Sequence, residues 1–193
     1  MKKRVLDIGG RKIGKRGSFR PPIDDVTSWE YINIDPSTDP DYCCDAKEIP
    51  IPDESIDTVI MTELLEYLSE PRKVLLEISR LLKKGGHVLI STPLMNPVHG
   101  DYWADRARYT PVMLSEMSSE TGFEIKKIEP MGSVGAVVYD TLRVATGYAD
   151  ESGELRRFSS LLLKSRRIFR WIEKKTGQQK KYINTGYFVV LAK

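Results

Sequence analysis

The sequence predicts an α/β domain built around a mainly parallel β-sheet. Short apolar segments of strand-like composition alternate along the chain with segments whose apolar residues recur at helical spacing. Several strand-like segments end in Gly or Asp, as strands do where they lead into ligand-binding turns at one edge of a parallel sheet. A length of 193 residues, with 40% hydrophobic and 30% charged side chains, is typical of one globular domain with an insertion.

The first half of the chain contains five predicted strands and one helix. The strands are 4–8, 31–34, 41–44, 57–61 and 88–91. Apolar residues recur at helical spacing from 75 to 82 and predict a helix before the fifth strand. Pro71 predicts the first turn of this helix, and Gly85 predicts its left-handed end.

The second half begins with a helix whose start is predicted by Thr110-Pro111 and whose end is predicted by Gly122. A sixth strand follows at 123–128 and a seventh at 187–192. Between them, an apolar stripe that includes Phe169 and Ile172 predicts a basic amphipathic helix. We therefore expect a single domain, 1–193, with a basic helical insertion at 131–184.

Positive charge is concentrated in this insertion. The chain has a net charge of +3, but residues 155–184 contain ten Lys or Arg and one acid, Glu173, which leaves −6 on the rest. A uniformly basic nucleic-acid binder has a different distribution. Three interpretations stay open: the helix caps the domain with its positive face in water, it lies on an anionic membrane surface with Trp171 at the interface, or it binds RNA phosphates.

Composition also limits location and metal content. No segment reaches the roughly 20 apolar residues of a membrane span, and no export signal is evident, so we expect a cytoplasmic protein, with contact at the inner membrane face as an alternative. The adjacent Cys43 and Cys44 are predicted to be small residues of a buried strand. His87 and His99 lack metal-ligand spacing, and no structural metal is expected.

The chemistry-bearing residues lie at the predicted strand ends. Gly9-Gly10, Asp35, Asp45 and Thr62-Glu63 each follow a strand, and a loop at 93–103 follows the fifth. Ligands of parallel α/β sheets bind beyond the carboxyl ends of the strands. Each motif alone is equally consistent with a tight turn or a cap, but their order along successive strands favours a ligand site.

Four segments in this order resemble the class I S-adenosylmethionine-dependent methyltransferases. They are VLDIGG at 5–10, NIDPS at 33–37, DAKEIPIPDESIDTVIMTELLEYL at 45–68 and LLKKGGHVLISTP at 81–93. The resemblance covers about residues 4–130 and recurs in the last strand. It implies a Rossmann-like, seven-stranded, mostly parallel sheet with an antiparallel last strand. This chain's own residues predict two differences, a shortened or missing first helix and the helical insertion between strands six and seven. The implied cofactor is S-adenosylmethionine.

The resemblance assigns eleven residues to the cofactor by position. Asp7, Gly9 and Gly10 would hold its methionine end, and Asp35 would bind the ribose. Asp45 and Ala46 would meet the adenine, while Ile34 and Pro36 would pack on the adenosine. Thr62, Glu63 and Tyr67 would line the sulfonium side.

The first loop departs from the family pattern. Arg11 stands where a second spaced glycine is usual, and Gly14, Gly17, Pro21 and Pro22 interrupt the segment of the first helix. Arg11 or Lys15 could therefore pair with the cofactor carboxylate. Both could equally be solvated surface charge.

The loop after the fifth strand, STPLMNPVHGDYWADRARYTP, resembles a subgroup from surface-polysaccharide pathways. This resemblance implies a sugar hydroxyl or carboxylate as methyl acceptor. His99 is the candidate general base, assisted by Asp101; the alternative is a histidine that only closes the loop. Tyr102 and Trp103 would stack on a sugar or form a lid over the cofactor. Arg108 and Tyr109 complete the predicted substrate contacts.

Three functions from different classes follow. The leading one is a methyltransferase that O-methylates a glycan or a small hydroxylated metabolite. The altered glycine loop is also consistent with a degenerate, non-catalytic cofactor-binding or scaffold protein. A nicotinamide-dependent oxidoreductase is disfavoured, because Gly9 to Gly14 lack the Gly-x-Gly-x-x-Gly spacing that opens a helix.

Overall fold

The computed structural model describes residues 3–13, 26–98, 104–147 and 163–193. These residues form seven strands and four helices. The strands are β1 (Arg4–Ile8), β2 (Ser28–Asn33), β3 (Tyr42–Cys43), β4 (Ile56–Thr62), β5 (Leu82–Pro93), β6 (Glu124–Met131) and β7 (Gly186–Ala192). The helices are α1 (Pro71–Leu81), α2 (Pro111–Glu120), α3 (Val134–Gly147) and α4 (Arg166–Thr176). The predicted break in the first helix falls largely on 14–25, outside the described residues.

All seven strands form one sheet in the order β3-β2-β1-β4-β5-β7-β6. The pairings of β1 with β2 and β4, of β2 with β3, and of β4 with β5 are parallel. β7 runs against β5, because Gly85 N donates to Lys193 O near one end of the pair and Leu94 N donates to Thr185 O near the other. The predicted fold is thereby confirmed, including its antiparallel last strand.

Apolar strands explain why β1 and β4 lie inside the sheet. Leu6 and Val59 are fully buried, and Ile8 is nearly so. Parallel strands covered on both faces consist of such continuous apolar runs. α1 buries one stripe, which consists of Val74, Leu75, Ile78 and Leu81, whereas Leu76 on its other side is 53% exposed.

The end of α1 differs from the prediction. The helix ends at Leu81, and Leu82 is already extended and pairs with Ile56 of β4. Gly85 does adopt a positive φ of 75°, but it lies within β5, where its N–H donates to Lys193 O. Sheet pairing of the buried Leu82 therefore overrides the local helix signals.

Two further local predictions have different outcomes. Thr110 caps α2 by accepting from Met113 N, Pro111 is the first helical residue, and Gly122 has a φ of 81°, as predicted. The prediction for the cysteines is wrong, because Cys43 is exposed and Cys44 is half-buried. β3 is a two-residue edge strand and covers neither side chain fully.

The chain forms two compact units. The first consists of described residues within 3–92, 106–128 and 188–193, and it holds the buried core of the sheet. The second consists of described residues within 93–105 and 129–187 and contains α3 and α4. Among the described helices, none combines the length and apolar character needed to cross a bilayer.

A charged clamp ties the loop after β3 to α1. Glu77 Oε1 accepts from Ile49 N at 2.7 Å and from Arg80 Nη2 at 2.6 Å. Arg80 also donates to Ile49 O and to Ile51 O, each at 2.9 Å. Arg80 holds the pKa of the Glu77 carboxyl below its ordinary value, with help from Ile49 N and against the effect of burial. The clamp fixes the loop that begins at Asp45.

Truncation of the buried stripe of α1 should destabilise the protein. Ile78 is fully buried, so we expect Ile78→Ala to lower the free energy of unfolding by about 2–5 kcal/mol through lost burial and a cavity. Urea unfolding followed by circular dichroism measures the change. Leu76→Ala on the exposed side of the same helix is the control, with an expected change within about 0.5 kcal/mol. Equal losses in the two variants would contradict the assignment of the buried face.

The Glu77 clamp should make stability depend on pH. A carboxyl whose folded-state pKa is lowered contributes stability above its unfolded pKa of about 4.3, and this contribution is lost as the pH falls through the folded value. We therefore expect Glu77→Gln to destabilise the protein at pH 7 and to differ less from wild type at pH 3, as measured by urea unfolding. Glu48→Gln, an exposed change in the same loop, should behave as wild type at both pH values.

Candidate functional site

Parallel pairing brings the carboxyl ends of four strands to one edge of the sheet. Ile8 of β1 is aligned with Ile32 of β2, and Asn33 of β2 is aligned with Cys43 of β3. Asp7 is aligned with Ile60 of β4 on the other side. The residues that directly follow these strands therefore lie close together, at the edge where parallel α/β sheets bind their ligands.

A cavity of about 250 Å³ opens at this edge. Its apolar walls are formed by Ile8, Ile32, Ile34, Leu64 and Val74. Ile34 is 74% exposed although it lines the cavity, so a bound ligand would cover apolar surface that now contacts water. The volume is just below the roughly 300 Å³ at which small-molecule pockets begin, so the cavity suits part of a ligand of nucleotide size.

The cavity brings together five of the predicted cofactor residues: Gly9, Ile34, Asp45, Ala46 and Tyr67. The other six lie at the same strand ends but outside its lining: Asp7, Gly10, Asp35, Pro36, Thr62 and Glu63. Asn33, Lys47, Ser69 and Glu70 also line the cavity, and the sequence analysis did not select them. Of these four, Asn33 carries a sequence signal, because it opens the NIDPS motif at 33–37.

The glycine turn after β1 depends on the absence of side chains. Gly9 has a φ of 82° and donates its N–H to Ile32 O at 2.8 Å. A Cβ on Gly10 would clash with the carboxyl of the buried Asp7, so glycine at this position lets that carboxyl keep its place. Asn33 Nδ2 donates to Gly9 O at 3.2 Å and to Gly10 O at 3.0 Å. A side chain of β2 therefore holds the turn in place.

The predicted ribose acid, Asp35, is held by its own local turn. Its Oδ1 accepts from Ser37 N at 2.9 Å and from Ser37 Oγ at 2.6 Å. Its Oδ2 lies 4.0 Å from Arg11 Nη2. The Ser37 hydrogen bonds and, to a smaller extent, the Arg11 charge lower the pKa of Asp35. This carboxylate is therefore ionised and able to accept hydrogen bonds, and Arg11 contacts it rather than being an isolated surface charge.

The predicted adenine acid, Asp45, shares the cavity with a lysine. Lys47 Nζ lies 3.4 Å from Asp45 Oδ2 and 3.1 Å from Glu70 Oε2. Hydrogen bonds to Glu70 and Asp45 raise the pKa of Lys47. Asp45 Oδ1 accepts from Lys47 N at 2.9 Å, which leaves an exposed carboxylate beside Ala46 at the cavity wall.

The residues after β4 are fixed to the neighbouring strand. Glu63 has a φ of 49° and donates its N–H to Ser91 O at 3.0 Å, while its Oε1 accepts from Ser91 Oγ at 2.7 Å. Thr62 directly before it is exposed. A 3₁₀ turn over Leu65–Tyr67 then directs Tyr67 to the cavity. A non-glycine residue in the left-handed region is uncommon, and such strain concentrates at ligand sites.

The substrate side is described only in part. The predicted catalytic residues His99 and Asp101, and the predicted substrate contacts Tyr102 and Trp103, lie outside the described residues, as does Lys15. Arg108 is half-buried and donates from Nη1 to Ala107 O at 2.9 Å. Tyr109 is 4% exposed, and its hydroxyl donates to Leu65 O at 3.2 Å. The geometry thus gives Tyr109 a packing role, and burial raises the pKa of its hydroxyl.

Within the described ranges, no three His, Cys, Asp or Glu side chains are grouped as ligands of one metal ion. The groups at the cavity edge fit a nucleoside that carries an amino-acid chain. Apolar walls can cover a flat base, carboxylates at Asp35 and Asp45 can accept from hydroxyl and amino groups, and the glycine turn allows close approach of a ligand to the backbone.

Comparison with known proteins agrees with this geometry. Residues 20–90 match a family model described as a methyltransferase domain. A probable S-adenosylmethionine-dependent methyltransferase of Mycolicibacterium smegmatis is 29% identical over 90 residues, which are 41% of this chain and 33% of that protein. Demethylmenaquinone methyltransferase of Renibacterium salmoninarum is 30% identical over 117 residues, 59% of this chain and 42% of that protein. The chain thus matches less than half the length of either relative.

A solved structure shares the fold. The crystal structure of a SAM-dependent methyltransferase from Archaeoglobus fulgidus covers 100% of this chain and 86% of its own, with a TM-score of 0.55 and 18% identity. The predicted likeness to a surface-polysaccharide subgroup is not supported by these matches and stays a prediction. The family match, the order of the motifs and the sheet together confirm the predicted cofactor, S-adenosylmethionine, and support a domain of the class I S-adenosylmethionine-dependent methyltransferases.

Proposed function

We propose that this protein is an S-adenosylmethionine-dependent methyltransferase. The observation that carries the proposal is the cavity at the carboxyl edge of the sheet. It combines an exposed apolar residue, Ile34, with a glycine turn and with the carboxylate of Asp45. A site for a small polar metabolite alone would not need the exposed Ile34 wall, whereas a purine ring would cover it.

Different residues of the site would bind the different parts of the cofactor. Asp35 would accept hydrogen bonds from the ribose hydroxyls. Asp45, beside Ala46, would accept a hydrogen bond from the amino group of adenine. Ile34 and Leu64 would cover the base. Gly9 and Gly10 would admit the methionine chain close to the backbone, above the buried Asp7.

Bound S-adenosylmethionine supplies an electrophilic methyl group on a sulfonium. The protein then has to align an acceptor atom with that methyl group. Such positioning can lower the activation barrier by on the order of 7–11 kcal/mol. A hydroxyl acceptor must also lose a proton, and His99, assisted by Asp101, is proposed to take it. Glu63, fixed to Ser91, would line the sulfonium side.

The proposed acceptor is a glycan or a small hydroxylated metabolite. Support comes from the sequence of the loop after β5, in which His99, Asp101, Arg108 and Tyr109 match the pattern of a polysaccharide-pathway subgroup. The relative from Renibacterium salmoninarum is named for demethylmenaquinone, so a quinone acceptor belongs in the same screen.

The contact between Arg11 and Asp35 favours one alternative function. If this pair keeps the ribose acid occupied, the domain could serve as a non-catalytic scaffold. The pair is solvent-exposed, with its charged atoms 4.0 Å apart, and exposed ion pairs of this kind contribute little because water screens them. Competition of this strength is too weak to exclude a ligand that offers two hydroxyl donors.

Calorimetric titration with S-adenosylmethionine and S-adenosylhomocysteine tests the cofactor site. We expect Asp35→Ala to weaken binding about tenfold or more, because hydrogen bonds to a charged acceptor are lost. Arg11→Ala is the matched variant at the same contact and should change the affinity by less than about fivefold. A tenfold loss in Arg11→Ala would instead place Arg11 on the cofactor carboxylate. Absence of binding in the wild-type protein would favour the scaffold function.

Removal of the proposed base should separate binding from turnover. We expect His99→Ala to bind S-adenosylhomocysteine like the wild-type protein and to transfer methyl groups at least about tenfold more slowly. The screen uses nucleotide-linked and lipid-linked sugars first, with release of S-adenosylhomocysteine as the readout. His87→Ala is the control, because His87 lies within β5 and not in the loop that follows this strand. Unchanged turnover in His99→Ala would remove the assignment.

A further inference from the structure

One face of helix α4 packs against helix α3 and the residue before it. Phe169 contacts Tyr139 of α3 edge to face, with ring centroids 5.2 Å apart. Glu173 Oε2 accepts from Ala136 N at 3.0 Å, and the hydroxyls of Thr176 and Ser133 lie 3.1 Å apart. These residues of α4 recur at intervals of three and four, which places them on one side of the helix.

The approach of the two helices is close at one glycine. A Cβ on Gly135 of α3 would lie 2.5 Å from Phe169 O and 2.8 Å from Glu173 N. α4 is therefore held in one rotational setting against α3. This setting determines which side chains of α4 point away from the unit.

The opposite face combines cations with two large apolar side chains. Trp171 is 61% exposed and Ile168 is 49% exposed. Around them, four basic side chains are exposed: Arg167, Arg170, Lys174 and Lys175. Within the part of the chain that the structure describes, none of these four has an acidic side chain within salt-bridge distance. We call these six residues the outer face of α4.

The cationic surface continues beyond the helix. Tyr182 is 68% exposed, and Lys181 Nζ lies 4.9 Å from the centre of its ring. Tyrosine and tryptophan with neighbouring Lys and Arg are typical of protein surfaces at the boundary between water and lipid, where the rings sit at the level of the head groups. A helix with this division of faces lies in the plane of the interface.

We propose that the outer face of α4 docks on the surface of an anionic lipid bilayer. Trp171 and Ile168 would enter the boundary between head groups and acyl chains, and the four cations would contact lipid phosphates. Charge complementarity selects this occupant, because unpaired cations are attracted to the negative surface potential of such a membrane. The inference concerns a surface of the α3–α4 unit and is independent of methyl transfer.

Other occupants fit the outer face less well. A second copy of the chain would bring the same four cations against each other in a two-fold contact. RNA offers phosphates to the cations and bases to Trp171, but it offers no apolar partner for Ile168. A bilayer accommodates the cations, the indole and the aliphatic side chain together.

Vesicle co-sedimentation of the full chain tests the proposal. The vesicles contain phosphatidylcholine alone or with about one third phosphatidylglycerol, at low salt and at about 0.5 M salt, where surface charges are screened. We expect binding to the anionic vesicles to exceed binding to neutral vesicles at least about tenfold at low salt, and to weaken at high salt. Equal binding to both vesicle types, or no binding, would overturn the proposal.

Three variants assign the binding to this face. Trp171→Ala and the pair Lys174→Gln with Lys175→Gln should each weaken binding about fivefold or more, with unchanged circular dichroism. The pair Lys84→Gln with Lys126→Gln removes the same charge from exposed strand positions and should bind like the wild-type protein. Equal losses in this control pair would mean a nonspecific charge effect.

A parallel titration with a single-stranded RNA homopolymer distinguishes RNA from a bilayer as the partner of the outer face of α4. Binding of RNA that depends on Lys174 and Lys175, without vesicle binding, would assign the face to nucleic acid and overturn the proposal. Titration with S-adenosylhomocysteine on the same Trp171→Ala protein should give wild-type affinity. A failure of vesicle binding with intact cofactor binding would therefore reject the membrane surface and leave the proposed enzyme unaffected.

Discussion

The parallel pairing of β1 with β2 on one side and β4 on the other is the constraint on which the candidate site depends. Because the three strands share a direction and a fixed register, Gly9, Ile34 and Glu63 leave the sheet at the same edge. The pairing itself is stabilised by buried apolar residues such as Leu6, Ile32 and Val59. A slip of one residue in β1 would turn its side chains to the opposite faces of the sheet and would displace the glycine turn from the cavity.

Around this edge, the protein supports its ligand-facing loops with side chains from neighbouring segments. Asn33 holds the glycine turn through two backbone oxygens, and Ser91 holds Glu63. The Glu77–Arg80 pair does the same for the loop that begins at Asp45. In the first loop, Asn33 thus fixes the two glycines that directly precede Arg11, the residue that stands where a second spaced glycine is usual.

The chain separates two kinds of surface. The cavity edge belongs to the unit that holds the core of the sheet, whereas the outer face of α4 belongs to the unit formed by α3 and α4. The first surface is apolar with carboxylates, and the second is apolar with cations. Their opposite charge suits different partners, a cationic cofactor at the first and an anionic surface at the second.

The sequence by itself determined the fold class, the order of the strand ends and the positions of Gly9, Asp35 and Asp45, because strand periodicity and turn chemistry are local properties. It also determined the start of α2 at Thr110-Pro111 for the same reason. Only the tertiary structure decided the end of α1, where pairing of Leu82 with Ile56 overrode a local helix signal. The packing role of Tyr109, the exposure of Cys43 and the use of Asn33 likewise depend on neighbours distant in sequence. The two faces of α4 follow this division: the amphipathic pattern is local, but contact with α3 decides which face is covered.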